Sequence, residues 1–282
     1  MKEEKKEGSE EAGKIEPRVV ADGKHQEGSK PQVEQVVPEE EAEQDEWKPR
    51  TRLGLQVKNR EITNIDQILD AGIPIMEPEI TERLLDLDVE LLLIGQSRGK
   101  FGGGQRRIFK QTQKKTKEGN KPKFTTLAVV GDRNGHIGFG MGKSKETVPA
   151  REKAIRKAKM NVFKIRRGAG SWEDASEDPH SIPFKVSGKC GSVEVVFMPA
   201  PKGKGLVAHS ELQKVLELAG VKNVWSKTKG MTRHRVNLIK AAERALRKLC
   251  AVRVQPKHYD RLSMQDGSVQ GVSEKSVEGG EA

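Results

Sequence analysis

Cysteine, aromatic side chains and long apolar runs are all scarce in this 282-residue chain. Its two cysteines, Cys190 and Cys250, and its six scattered histidines offer neither a disulfide framework nor the spacing of a structural zinc site, which favours a reducing compartment. Aromatic residues make up 4% of the chain, too few for a surface that stacks many bases on rings. No segment approaches the roughly 18 apolar residues that span a membrane, and no apolar signal segment is visible, so we expect neither membrane insertion nor export.

Charge is abundant and unevenly distributed. Residues 1–46 carry 7 Lys+Arg against 15 Asp+Glu, and residues 256–282 carry 3 against 5. The central part, 47–255, carries 42 against 21, so its net charge of +21 exceeds the +11 of the whole chain. Positive charge at this density repels itself in a folded protein, which predicts a polyanionic partner.

Composition and apolar periodicity divide the chain into six segments. Residues 1–46 have too few large apolar side chains to offset the entropy of ordering, so we predict that this acidic tail is disordered. The remaining predicted segments are a helical N-terminal extension (47–105), a first domain (106–170), a linker (171–181), a second α+β domain (182–255) and a flexible tail (256–282). In the extension, apolar spacing predicts short helices from about Asn64 and Glu77.

The first domain reads as three strands followed by a helix. The strands are predicted at about 107–114, 123–130 and 136–141, and the helix from Ser144 or Thr147 to about Arg167. Asn134-Gly135 between the second and third strands is a strong hairpin signal. Residues 114–121 form a predicted hairpin tip with four lysines, for which a solvated loop is the alternative interpretation.

Glycine recurs at every second position of the third strand. Alternation puts Gly138, Gly140 and Gly142 on one face together with His136. Glycine weakens a strand, so this period indicates that another backbone or a ligand approaches closely. We predict that RNA lies against this face.

Two sequences, one in each predicted domain, are candidates for phosphate loops. The predicted elements of the second domain are strands at 184–187, 192–198 and 223–228 and helices at 208–219 and 233–249. Pro201 to Gly205 enters a helix and is similar to the phosphate loop of kinases related to galactokinase and homoserine kinase, but its continuation from Val207 to Ser210 lacks the usual glycine and serines. In the first domain, Gly142-Lys143-Ser144 fails the phosphate-loop pattern because Ile137 stands where a glycine is required. A small-molecule kinase therefore stays the second interpretation.

Basic residues and the glycine-rich third strand together define a candidate set of RNA-binding residues. Arg233 and Arg235 oppose the dipole of the last helix, which indicates either an external anion or simply an exposed helix start. The predicted RNA-binding residues are Arg98, Lys100, Arg106, Arg107, Lys110, Lys114, Lys115, Lys117, Lys121, Lys123, Arg133, His136, Gly138, Gly140, Gly142, Lys143, Lys145, Lys202, Lys204, Lys227, Lys229, Arg233 and Arg235.

Four blocks of sequence, in order, resemble one family. They are LAVVGDRNGHIGFGMGKS (127–144), VPAREKAIRKAKMNV (148–162), VFMPAPKGKGLVAH (196–209) and LELAGVKNVWSKTKG (216–230). Over about 47–255, the chain is similar to the universal small-subunit ribosomal protein number five family. The N-terminal segment WKPRTRLGLQV (47–57) is similar to the archaeal and eukaryotic branch of that family. The family pattern does not explain the acidic tail.

The resemblance implies an α+β fold in two parts. The first is a double-stranded-RNA-binding-like domain, a three-stranded antiparallel sheet plus a helix, and the second shares its fold with galactokinase-like kinases. It also implies a cytoplasmic protein that binds small-subunit ribosomal RNA near the decoding region and the path by which messenger RNA enters, and that supports assembly and accuracy. Implied neighbours are ribosomal proteins four, eight and three. We expect no catalytic residue, cofactor, metal or small-molecule substrate. A double-stranded-RNA-binding regulator away from the ribosome is a third interpretation.

Overall fold

Helices and strands alternate irregularly along residues 47–97, 104–174 and 178–268, the part of the chain that a computed structural model describes. The helices are α1 (Arg52–Lys58), α2 (Ile65–Asp70), α3 (Pro78–Leu84), α4 (Thr147–Met160), α5 (Ser210–Leu218), α6 (Arg235–Ala251) and α7 (Pro256–Arg261). The strands are β1 (Asp88–Leu91), β2 (Gly95–Gln96), β3 (Arg106–Arg107), β4 (Lys110–Thr116), β5 (Gly119–Gly131), β6 (His136–Ser144), β7 (Val162–Lys164), β8 (Arg166–Arg167), β9 (Val186–Cys190), β10 (Val193–Pro199), β11 (Leu206–Val207), β12 (Val224–Lys229) and β13 (Gln265–Asp266). Within these ranges no helix combines the length and apolar composition of a membrane span.

The first sheet is antiparallel and centres on the long strand β5. Its order is β1-β5-β6-β7. Strands β4 and β1 lie along the same edge of β5, where β4 pairs with the N-terminal half of β5 and β1 pairs with its C-terminal end. The predicted β5–β6 hairpin is confirmed: Asp132 Oδ1 accepts the amides of Asn134 and His136 at 2.7 and 3.0 Å, and Gly135 has φ +105°. These hydrogen bonds satisfy two backbone amides of the turn. They also fix the strand register that places Leu127 opposite Met141.

The helix after this sheet is shorter than predicted. Helix α4 ends at Met160 instead of continuing to Arg167, and the chain returns as β7 beside β6. Val162 and Ile165 fit helical spacing, but Phe163 lies on the sheet face opposite Val162 and stacks on Phe139 with ring centroids 6.1 Å apart. Packing of both strand faces therefore outweighs the helical period.

The second sheet follows the predicted order of elements. Strands β9, β10 and β12 pair antiparallel, and the short strand β11, which was not predicted, pairs parallel with β12. Helices α5 and α6 occupy the predicted positions within a few residues. One apolar cluster contains Leu127 and Phe139 from the first sheet and Val195, Phe197 and Leu238 from the second half. The two predicted domains therefore share a core.

The predicted helical extension contributes a strand to the first sheet. Strand β1 pairs with β5, and the unpredicted helix α1 joins α2 and α3. Their side chains Leu53, Ile65 and Ile80 form a second apolar cluster with Ala154 and Ala158 of α4. The extension is thus packed on the helix side of the first sheet.

The predicted flexible tail differs from the structure over its first residues. Helix α7 and strand β13 are ordered because β13 pairs with β8, and Asp266 binds the Arg166 guanidinium through both oxygens, at 2.5 and 3.0 Å. Arg166 also lies over the Tyr259 ring at 5.3 Å. Residues 1–46, predicted to be disordered, and 269–282 lie outside the described residues.

Candidate RNA interface

The hairpin of β4 and β5 is exposed along both strands from Lys110 to Lys123, apart from the half-buried Thr116. Pairing continues to Thr116 opposite Gly119, so the turn itself contains only Lys117 and Glu118. Gly119 adopts φ +115°, and the Thr116 hydroxyl donates to its carbonyl at 2.9 Å. The lysines of the hairpin tip predicted at 114–121 therefore lie mostly on paired strands, with only Lys117 in the turn.

Register places most of the hairpin lysines on one face. Directly opposite residues share a face, and residues two apart on a strand lie about 6.6 Å apart on it. Lys110 of β4 and Lys143 of β6 are both paired with Thr125 of β5. In the β4–β5 hairpin, Lys123 is paired with Thr112 and Lys114 with Lys121. We call these five exposed residues the lysine face: Lys110, Lys114, Lys121, Lys123 and Lys143. Lys115 points to the other face, with Gln111 and Gln113.

The glycines of β6 face helix α4, so the prediction that RNA covers them is wrong. A Cβ added at Gly138, Gly140 or Gly142 would lie 2.3, 2.1 or 2.0 Å from a carbonyl oxygen of α4. The three oxygens belong to Ala158, Ala154 and Ala150, one helical turn apart. Glycine is needed here for close approach of a helix to the sheet.

His136 is buried between two carboxylates and is not on an RNA-facing surface, as had been predicted. Its side chain has no exposed area, and its ring nitrogens lie 2.5 Å from Asp132 Oδ2 and 3.0 Å from Asp66 Oδ1. Burial alone lowers its pKa, but the hydrogen bonds and charges of Asp132 and Asp66 outweigh burial and raise the pKa to about 9. The imidazolium links α2 to the β5–β6 turn.

This ion pair makes stability depend on pH. Because the folded pKa is raised to about 9 from 6.5, its contribution is full below about pH 6.5 and is lost as pH rises through about 9. We expect His136→Gln to cost about 3 kcal/mol more of the unfolding free energy near pH 6 than near pH 10. Urea unfolding of both proteins at these two pH values measures this difference, and an equal cost at both would contradict it.

Arg133 lies away from the lysine face. It occupies the turn at the end of β5 opposite to the β4–β5 hairpin, with φ +58°, and its guanidinium is 2.8 Å from Asp88 Oδ2. The two side chains of this ion pair are 70% and 57% exposed. The structure therefore does not bring Arg133, one of the predicted RNA-binding residues, together with the hairpin lysines.

A basic pocket of about 760 Å³ lies between the β2–β3 pair, β4 and the start of α6. Six basic residues line it: Arg106, Arg107, Lys110, Arg233, His234 and Arg235. No Asp or Glu is among the described residues that line it. Arg235 is nevertheless paired, because its Nη1 donates at 2.8 Å to Glu211 Oε1, a carboxylate whose side chain is 1% exposed.

Comparison with known proteins decides the family. Sequence models of the N-terminal and C-terminal domains of ribosomal protein S5 match residues 108–166 and 188–257. Small ribosomal subunit protein uS5 of Nanoarchaeum equitans is 47% identical over 226 residues, which cover 80% of this chain and 97% of the relative. The uS5 protein of Methanocaldococcus jannaschii is 45% identical with the same coverage. The chain belongs to the uS5 family. Its similarity to archaeal members confirms the predicted branch.

Membership of the uS5 family, whose proteins are structural, argues against the kinase interpretation. The geometry of the loop at Pro201–Gly205 agrees. Asp174 Oδ2 accepts the Lys202 amide at 2.9 Å, and Asn223 Oδ1 accepts the Gly205 amide at 2.8 Å. Two amides that a phosphate would use are thus bound to the chain's own side chains.

The remaining predicted residues are dispersed over this uS5 chain. Lys202 pairs with Asp178 at 2.7 Å, and Lys204 is exposed in the same loop. Lys227 and Lys229 lie on the outer face of β12, where Lys229 is opposite Glu194. Lys117 and Lys145 are exposed in turns. Arg98 and Lys100 lie outside the described residues.

Sequence reasoning named the basic residues of the pocket without predicting that they meet. Arg106 and Arg235 are more than a hundred positions apart. Phe109 and Phe124, which also line the pocket, were not predicted as site residues. The only local signal was the placement of two arginines at a helix start, where positive charge is unfavourable.

Proposed function

We propose that this chain is a cytoplasmic structural constituent of the small ribosomal subunit and binds ribosomal RNA mainly through phosphate contacts. The observation that carries the proposal is the lysine face, on which five exposed lysines project from one side of the antiparallel strands β4, β5 and β6. Lys121 has one partner, Glu118 at 3.4 Å, and both side chains are more than 60% exposed, so the pair contributes little. The names of the relatives place those proteins in the small subunit.

Phosphate contact explains why the charges are arranged in rows. Each ammonium group that neutralises a phosphate releases condensed counterions, so affinity increases with the number of lysines that reach the backbone. A rigid ladder holds these groups at fixed intervals without the entropy cost of ordering a loop. The basic pocket adds positive charge beside this face. Lys110 lines it, although Gln111, Gln113 and Phe124, which also line it, lie on the opposite face of the hairpin.

The finer features of the proposal follow from the resemblance. The strands β4, β5 and β6 followed by α4 support a double-stranded-RNA-binding-like first domain, and the second half is proposed to share its fold with galactokinase-like kinases. We place the protein near the decoding region and the path by which messenger RNA enters. Proteins four, eight and three are the proposed neighbours, and assembly and accuracy are the proposed roles.

Sedimentation and crosslinking test the proposal together. In a sucrose gradient of cell extract, we expect the chain to sediment with small subunits. Crosslinking to RNA in purified small subunits is expected to modify peptides that contain the lysine face and the basic pocket. A pool mainly at the top of the gradient would favour a free double-stranded-RNA-binding regulator. Crosslinks confined to the outer face of β12 would contradict the assignment of the surface.

A further inference from the structure

The basic pocket contains groups that phosphate contact alone does not require. Phe109 and Phe124 line it, and both residues are half-buried. Gln96, Gln111 and Gln113 also line it and are exposed, and each amide offers both hydrogen-bond donors and an acceptor. A cavity of about 760 Å³ is in the range of small-ligand sites. These groups are suited to a flat, polar-edged ligand.

The charges around the pocket indicate that the ligand is anionic. Burial lowers the pKa of Arg235, and the charge of Arg106 lowers it further, whereas Glu211 opposes this effect. Burial and the charges of Arg235 and Arg106 likewise lower the pKa of His209, the N-cap of α5. Cations are therefore held near one another with one buried carboxylate, and a bound anion would relieve their repulsion.

The fold fixes the backbone segments that carry the two rings. Gly95 pairs with Arg107, and a Cβ at Gly95 would lie 2.1 Å from the Phe109 carbonyl oxygen, so the backbone of Phe109 is packed directly on β2. Phe124 is paired on both sides, with Gln111 of β4 and Ser144 of β6. Because these backbone segments are already paired, ligand binding needs little further ordering of the main chain.

We infer that the pocket holds one unpaired nucleotide that is extruded from the bound RNA. A base stacks on the ring of Phe124 or Phe109, the glutamine amides hydrogen-bond to its edge, and Arg233 and Arg106 bind its phosphate. The inference rests on the proposed function. The low aromatic content of the chain argues against a surface of many stacked bases, but a single nucleotide needs only one or two rings.

A bulged RNA tests this site with the full-length chain. The probes are a short A-form RNA duplex and the same duplex with one bulged adenosine. We expect about tenfold tighter binding of the bulged RNA, in line with the contribution of one stacked base. The double variant Phe109→Leu with Phe124→Leu is expected to reduce that preference while leaving affinity for the plain duplex unchanged. Phe184→Leu, in a ring that packs on the core outside the pocket, is the matched control and retains the preference.

Further variants keep the test decisive if the leucine variants unfold. Gln111 and Gln113 are exposed, so their double alanine variant is expected to fold and to lose part of the preference. Lys114→Ala with Lys121→Ala is expected to weaken both RNAs equally. If wild type binds both RNAs equally, the pocket inference is overturned and the proposed function stands. If neither RNA binds, both fail.

Adenosine monophosphate distinguishes an RNA nucleotide from a free one. We expect that it competes away the preference for the bulged RNA only at concentrations far above those of the RNA, because the duplex arms add phosphate contacts. Thermal stabilisation by the mononucleotide, together with no gain from the bulge, would overturn an RNA nucleotide as the occupant.

Discussion

Replacing four residues of the lysine face by alanine is expected to lower affinity for small-subunit ribosomal RNA by about a hundredfold at physiological salt. The variant carries Lys114→Ala, Lys121→Ala, Lys123→Ala and Lys143→Ala, and it retains Lys110, which also lines the basic pocket. Each lost phosphate contact is expected to reduce the slope of log affinity against log salt by about 0.7 to 0.9. Titration of the RNA at several salt concentrations measures both effects.

A control with the same change in net charge separates position from total charge. Lys58, Lys185, Lys189 and Lys240 are exposed and lie away from the lysine face. Their combined alanine variant is expected to lose less than tenfold in affinity, because distant charges are screened beyond about 8–10 Å. If both variants lose the same affinity and the same slope, general charge alone accounts for binding and the lysine face has no special role.

Much of the fold follows from local pattern because its signals are local. The sequence pattern located β4, β5 and β6 of the first sheet and β9, β10 and β12 of the second, and Asn134-Gly135 located a hairpin. The end of α4 could not be found in this way, since Val162 and Ile165 satisfy both the helical stripe and a strand packed on two faces. The strand β1 was missed because its partner β5 lies about forty residues further along the chain. Tertiary contacts decide such cases.

The candidate site also combines features that local sequence predicts with features that depend on tertiary contacts. The hairpin lysines are close in sequence, so their clustering was predictable, but which of them share a face depends on the register of β4 against β5. His136 was misassigned because one of its carboxylates, Asp66, comes from 70 residues away. For the glycines, period two correctly indicated a close neighbour. It could not identify that neighbour as α4, because a helix backbone and an RNA backbone impose the same requirement.

Gly140→Ala is expected to destabilise the fold by about 3 kcal/mol or more, because the added methyl group has no space. Its Cβ would lie 2.1 Å from the Ala154 carbonyl oxygen and 2.3 Å from the Ala158 amide nitrogen. Both are backbone atoms of α4, so relief requires the whole helix to move away from the sheet. Such a movement would open the cluster in which Ala154 and Ala158 pack against α1, α2 and α3. The free energy of unfolding in urea measures the loss.

Two further variants test whether the loss of stability comes from the clash with the backbone of α4. Met141→Ala changes the adjacent residue on the opposite face, which is 41% exposed, and is expected to cost less than about 1 kcal/mol. Adding Ala154→Gly to Gly140→Ala is expected to restore little stability, because removing a side chain leaves the clashing backbone atoms in place. If the glycine face were instead open to RNA, Gly140→Ala would leave unfolding unchanged and weaken only RNA binding. Measuring both properties on the same variant therefore decides whether helix or RNA requires the glycines of β6.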